Sequence, residues 1–213
     1  MENLTSYRKC NYEGIDELLW VTSDRGAFGH EGDGPLGDWI EGRDDFLSQV
    51  KNFDVVIQAG GNCGMYASFY KNYFKEVYTF EPNALNYYCL NINCTDDGYH
   101  KFYGGLGNDT KPLSISNGPS HNVGMYQIIN QPGNIPMHLI DNLNLQKCDL
   151  IHLDIEGYEN YALDGGKNTI NKFKPVIIVE KSNDTIVDDY LQSMGYSVYK
   201  KLKMDIIYTY DVI

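Results

Sequence analysis

Hydrophobic residues in this chain fall into short, nearly continuous runs separated by segments of helical period. The run FDVVIQA, Phe53 to Ala59, predicts a strand buried on both faces of a parallel sheet. It breaks into the glycine-rich Gly60-Gly61-Asn62-Cys63-Gly64, after which Tyr66, Phe69, Tyr70, Tyr73 and Phe74 recur at helical spacing. A second strand is expected at Val77 to Phe80, and then Asn83 caps a helix whose apolar face is Leu85, Cys89 and Ile92. A third strand is expected at Lys101 to Leu106. From Gly107 to Leu145 the rhythm fails. The segment is rich in Gly, Pro and Asn, with β-like pieces at Leu113 to Ser116 and Val123 to Ile129, and reads as a β-rich excursion over 107–135. It resumes with CDLIHLDIEG (Cys148 to Gly157), a helical stretch from Glu159 to about Phe173, and the strand PVIIVE (Pro175 to Glu180). A helix around Ile186, Tyr190 and Leu191 precedes Tyr196 to Lys201 and Asp205 to Tyr210, which read as an antiparallel pair. Strands alternating with helices imply βαβ units, hence an α/β fold with a mostly parallel sheet covered on both faces.

Length fits one domain, since 213 residues fall near the usual size for a single hydrophobic core. The N-terminal stretch 1–50 reads as an extension, with the Gly-rich Thr22 to Arg43 as a lid or flexible linker in which Phe28, His30, Asp38 or Trp39 could contact substrate. Charge narrows the choice of partner. With 29 Asp+Glu against 17 Lys+Arg the net charge is −12, and the densest basic stretch is only Lys200, Lys201 and Lys203. Nucleic-acid binding is therefore disfavoured, because phosphate contacts need basic patches. No apolar segment has the length of a signal peptide or membrane span, and five cysteines without C-x-x-C spacing read as free thiols. The expectation is a soluble, cytoplasmic protein, with self-association left open.

In a doubly wound sheet, ligands bind beyond the C-terminal ends of the strands. Those positions carry the candidate chemistry. Gly60, Gly61, Asn62 and Gly64 follow the first strand but match neither the P-loop nor G-x-G-x-x-G, so they do not specify a pyrophosphate. Glu81 ends the second strand about 20 residues on, where an acidic residue can accept two hydrogen bonds from a ribose diol, and Pro82 stiffens the turn after it. Asp154 ends a buried apolar run, where an unpartnered carboxylate is costly. Glu156 shares its face by period two, while Glu159 reads as a helix cap. Glu180 ends the fifth strand, as a base, a substrate contact or an ion-pair partner of Lys181.

The stretches VVIQAGGNCGMY (Val55 to Tyr66), VYTFEPNALNYYCLNIN (Val77 to Asn93), IPMHLIDNL (Ile135 to Leu143), DLIHLDIEGYENYALDGG (Asp149 to Gly166) and KPVIIVE (Lys174 to Glu180) resemble the FkbM family of S-adenosylmethionine-dependent O-methyltransferases. The resemblance implies a class I methyltransferase fold, a Rossmann-like three-layer sandwich whose seven-stranded sheet runs 3-2-1-4-5-7-6 with an antiparallel last strand. It implies that Gly60, Asn62 and Gly64 pass beneath the methionine part of S-adenosyl-L-methionine and that Glu81 holds its ribose. Gly105 and Leu106 would lie against the adenine, and Asp154 would reach the methionine end or the acceptor. One position departs: the family's acidic residue two places before the first motif glycine is here Gln58, which keeps an amide oxygen for the donor's ammonium or a loop amide but loses the charge pairing.

Methyl transfer to a hydroxyl needs in-line positioning and removal of a proton. Asp154 is the first candidate base, Glu180 the second and His121 the third; no spacing suggests metal ligands, so metal independence is expected. The acceptor would be a small molecule or a glycan. A nucleotide or RNA hydroxyl methyltransferase and a non-catalytic cofactor-binding module on the same fold are the competing readings.

Overall fold

The structure, a computed structural model, describes residues 7–12, 15–24, 42–116, 118, 122–181 and 185–210. The chain opens with β1 (Tyr7–Tyr12) and β2 (Ile15–Val21), an antiparallel hairpin, followed by α1 (Arg43–Gln49). Then come β3 (Val55–Ala59), α2 (Met65–Lys71), β4 (Glu76–Glu81), α3 (Ala84–Asn93) and β5 (Tyr99–Tyr103). A two-residue β6 (Gly105–Leu106) leads to β7 (Leu113–Ile115), β8 (Ile128–Pro132), β9 (Met137–His138) and a 3-10 turn at Ile140–Leu143. The remainder is β10 (Leu150–Leu153), α4 (Glu159–Asp164), α5 (Lys167–Phe173), β11 (Val176–Glu180), α6 (Ile186–Ser193), β12 (Tyr196–Lys201) and β13 (Asp205–Tyr210).

Seven strands form the main sheet in the order β5-β4-β3-β10-β11-β13-β12. Counting only these strands along the chain, that is 3-2-1-4-5-7-6, and only β13 reverses direction, pairing antiparallel with both β11 and β12. The apolar runs explain the centre. All five residues of β3 and all four of β10 are buried, as parallel strands covered on both faces must be. Val56 faces Phe69, Tyr70 and Phe74 of the α2 side. Ile57 and Ala59 face Ala162, Leu163 and Ile170 on the other. Truncating one of these fully buried aliphatics to Ala costs about 2–5 kcal/mol. The Asp149 carboxylate fixes the start of β3 by accepting the amides of Asp54 and Val55, both at 2.9 Å.

Three local readings are corrected. The third strand does not run on to Leu106: β5 stops at Tyr103 and the chain turns at Gly104, so that Gly105 and Leu106 pair with Met137 and His138 instead. The helix expected from Glu159 to Phe173 is two, because Gly165 lies so close to the Gly107 backbone that a Cβ would sit 1.9 Å from its carbonyl oxygen. Finally, the N-terminal hairpin is a packed element. Asn93 of α3 accepts the Leu19 amide at 2.7 Å and donates to its carbonyl at 2.9 Å, and Leu18, Trp20 and Val21 are buried.

Candidate active site

A cavity of about 710 Å³ opens at the C-terminal ends of β3, β4, β10 and β11. Its floor is the glycine loop after β3. Gly60 has φ +82°, and a Cβ there would stand 1.8 Å from the Asp154 carbonyl oxygen, so no other residue fits without moving β10. Three of the loop's amides hold its shape: Gly61 donates to Phe80 O and Gly64 to Gly61 O, both at 2.8 Å, and Asn62 donates to Glu81 Oε2 at 2.7 Å.

Glu81, only 4% exposed, takes the Asn62 amide on one carboxylate oxygen and the Asn83 amide on the other, each at 2.7 Å. It lines the cavity together with Gly60, Gly61, Asn62 and Pro82. Burial drives its pKa up to about 7, against the opposing pull of the Asn83 and Asn62 amides and the Asn86 side chain. Each oxygen keeps a second lone pair for a ligand hydroxyl. Gly105, Leu106, Ile128, Phe80 and Tyr158 add apolar lining to the cavity. Asn62 adds a buried Oδ1 with no hydrogen-bond partner.

Carboxylates gather at the other end. One oxygen from each of Asp154, Glu156 and Glu180 falls within 4.8 Å of the others, and all three line the cavity. Glu180 pairs in register with Asp205 of β13, a further lining residue. Among the described residues no hydrogen-bond donor reaches the side chains of Asp154 or Glu180. Burial, then the charges of Glu180, Asp205, Glu156 and Glu159, hold the Asp154 pKa well above the carboxylate range. Glu180 is raised to about 7, first by burial and then by Glu156, Glu159 and Asp205. Glu156 is raised as well, chiefly by burial.

The fold reassigns several expected roles. Gln58 does not line the cavity: it is fully buried under the loop, donating to Gly60 O at 2.9 Å and accepting the Thr79 hydroxyl at 2.7 Å, so its amide positions the loop. Gly64 likewise lies below the cavity, as the N-cap of α2. Glu159 stands in the first turn of α4, where its charge meets the helix dipole, and accepts the amides of Ile155 and Gly157 at 3.2 and 3.1 Å, so it also shapes the turn that carries Glu156. Lys181 is not the partner of Glu180, since its ammonium is held by the carbonyls of Leu202 and Lys203. The sequence spacing that argued against metal ligands does not survive folding, because carboxylates from separate strand ends converge to a distance a cation could bridge. His121, Phe28, His30, Asp38 and Trp39 lie outside the described residues.

Some lining residues carry no sequence signal for this place. Trp20 reaches the cavity from β2, its indole N–H donating to the buried Asp24 carboxylate at 2.7 Å. Asn122 to Tyr126 of the excursion and Lys203, Met204 and Asp205 of the β12–β13 turn complete the walls. The apolar run Leu18 to Val21 could have marked β2 as a strand; nothing local marks Trp20 as facing a cleft.

Comparison with known proteins agrees with this geometry. No curated protein matches the chain. Among solved structures it is similar to a methyltransferase FkbM from Methylobacillus flagellatus KT, with TM-score 0.51 and 17% identity over 78% of this chain and 50% of that one. It thus spans half the length of that relative. It is also similar to a precorrin-6y C5,15-methyltransferase from Geobacter metallireducens GS-15, with TM-score 0.51 and 15% identity over 94% and 100% of the two chains. A Streptococcus mutans protein solved in complex with SAH aligns with TM-score 0.50 and 11% identity over 81% and 97%. At these identities the likeness is one of fold. The methyltransferase FkbM domain matches residues 58–198, which takes in β4 to β11 and every strand end described above, and the chain belongs to that family.

Proposed function

We propose that the protein transfers a methyl group from S-adenosylmethionine to a hydroxyl of a small molecule or glycan. The observation that carries this reading is the polarity of one cavity, with a pre-formed acceptor of hydrogen bonds at Glu81 and a crowd of carboxylates at Asp154 and Glu180. The donor's groups match these residues. Glu81 offers its remaining lone pairs to the ribose diol, and Asn62 adds an unpartnered Oδ1 to the same lining. The apolar lining of Phe80, Leu106 and Tyr158 suits a purine, and the acidic end suits an ammonium beside a sulfonium. When bound, the donor supplies a methyl group on positively charged sulfur.

The protein's own part is orientation and proton removal. Glu81 and the loop fix one end of the donor, so the acceptor oxygen need only be aimed from the acidic side. Asp154 or Glu180 then takes the hydroxyl proton. A carboxylate whose pKa is raised to about 7, as at Glu180, is a stronger base near neutrality than an ordinary one. The same crowd of negative charge disfavours polyphosphate and RNA acceptors.

Titration calorimetry with S-adenosylhomocysteine, S-adenosylmethionine and NAD tests the reading. Binding of the two sulfur ligands is expected, with Glu81→Ala weakening both by about tenfold or more through loss of a charged hydrogen-bond acceptor. Binding of NAD alone would sink it. The acceptor class is read by mass shift in a cell extract incubated with the donor, where methylation confined to protein or RNA would rule out the small-molecule reading.

A further inference from the structure

A second cavity, of about 240 Å³, adjoins the large one at Tyr158, the single lining residue they share. Its walls come from the loop between β6 and β7, from β8 and from the start of α4. Binding of the donor leaves it unused. Two stacked tyrosines form one side, Tyr158 and Tyr161, with ring centroids 4.5 Å apart and planes 25° from parallel. Tyr158 is 8% exposed and Tyr161 39%, so a buried ring backs an open one and fixes its orientation before anything binds. Across from them are two carboxamides. Asn108 Nδ2 donates to Asp164 Oδ2 at 2.9 Å, which orients that side chain. Among the described residues the Asn130 carboxamide and both tyrosine hydroxyls have no hydrogen-bond partner. The two charged groups of the lining are spent on each other: Lys111 Nζ stands 3.0 Å from Asp109 Oδ2, and Asp109 Oδ1 accepts the Lys111 amide at 3.3 Å.

This lining selects by chemistry. A phosphate or another anion finds one lysine, already neutralised, and a cation finds the same closed pair. An uncharged ring bearing hydroxyls is better matched, because hydroxyls both donate and accept, as carboxamides and tyrosine hydroxyls do. The C–H face of such a ring covers apolar area on Tyr161. The volume is that of about eight liquid waters, room for one ring with its substituents. We propose that the second cavity is a subsite for one uncharged pyranose unit, so that the acceptor is a glycan of at least two units that docks one here while another enters the large cavity. The role in transfer rests on reading the large cavity as the methyl-transfer site; the binding of a sugar does not.

Saturation-transfer NMR on the full-length protein is the test, with methyl glucoside, methyl galactoside and N-acetylglucosamine as probes. At least one is expected to bind, with Kd on the order of millimolar, and neither inorganic phosphate nor S-adenosylhomocysteine should displace it. Tyr161→Ala and Asn130→Ala should each weaken it by about three- to tenfold, the loss of one ring face or one hydrogen-bonding group. Both positions are exposed, so neither change removes core packing. No binding by wild type, binding of equal strength in either variant, or displacement by S-adenosylhomocysteine overturns the proposal. The acceptor role is read with labelled donor and the oligosaccharide fraction of a cell extract. There Tyr161→Ala should lower methyl incorporation by about three- to tenfold at limiting glycan and leave it unchanged at saturation; equal incorporation at both overturns that role. If a sugar binds at Tyr161 while wild type binds no S-adenosylhomocysteine, the methyl-transfer reading fails and the sugar site stands.

Discussion

The two ends of the cavity solve the problem of a buried carboxylate in opposite ways. At Glu81, both oxygens receive backbone amides at 2.7 Å and a carboxamide stands beside them, so geometry is fixed before any ligand arrives. At Asp154 and Glu180, no donor among the described residues reaches the side chains, and three more acidic residues, Glu156, Glu159 and Asp205, act on them. One end is built to hold and the other to accept charge. The first obtains its geometry from backbone amides that already hold both oxygens; the second crowds acidic groups whose pKa values are raised by burial and by one another, so that a bound cation favours the ionised form able to take a proton. A single pocket thus pairs a pre-organised acceptor with a cluster of raised carboxylates, the division of labour that the proposed methyl transfer to oxygen would use.

Breaking the backbone that joins the two ends has the largest expected effect. Gly60→Ala drives a Cβ into the Asp154 carbonyl, at 1.8 Å, and should cost about 4 kcal/mol or more or prevent folding. Gly157→Ala is its control. That glycine has φ +96° but nothing within 4 Å, so only the left-handed backbone penalty of about 1–2 kcal/mol is expected. Urea denaturation compares them, and equal costs would mean that the loop yields to the clash.

Next in size is the chemistry. Asp154→Asn should lower turnover by about 10²–10⁴-fold if Asp154 is the base. The same change removes a charge from the acidic cluster, so stability at pH 8 should rise. Release of S-adenosylhomocysteine and a denaturation curve read the two effects, and a variant that loses stability while keeping turnover contradicts the contrast between the ends.

The smallest effect is in pH dependence. Glu180 has its pKa raised from 4.5 to about 7, so the folded state holds a proton that the unfolded state has released. Stability from this group is therefore complete below about pH 4.5 and is lost as pH rises through about 7. Glu180→Gln should flatten that part of the stability curve. Turnover should rise over the same window in wild type, and if Glu180 rather than Asp154 is the base, Glu180→Gln removes the rise. A flat wild-type curve from pH 5 to 8 would mean that Glu180 ionises as an exposed carboxylate does.

The sheet was legible in the sequence because its signal is local. Phe53 to Ala59 and Cys148 to Asp154 are apolar almost throughout, and such runs have few stable places other than the centre of a parallel sheet. The resemblance in Val55 to Glu180 then ordered the strands. Boundaries set by distant contacts were not legible. Nothing in Lys101 to Leu106 tells that Gly105 leaves β5 for Met137, and nothing in Glu159 to Phe173 tells that Gly165 rests on Gly107. Gln58 taught the same lesson at the site: its position beside the glycine loop suggested ligand contact, whereas side-chain alternation along β3 turns it beneath the loop toward Thr79.

By itself the sequence determined which chemistry stands at each strand end, since alternation and the glycine breaks assign Glu81, Asp154 and Glu180 to those positions without reference to the rest of the chain. Tertiary structure alone decided what those groups became. Only the twist and order of the sheet bring Asp154, Glu156 and Glu180 within one small volume. Only the N-terminal hairpin brings Trp20 to the cleft, and only the return of the excursion sets Val123 on Asn86. A pKa, a shared hydrogen bond and a cavity wall are properties of groups brought together from distant parts of the chain, and neither spacing nor periodicity carries that information.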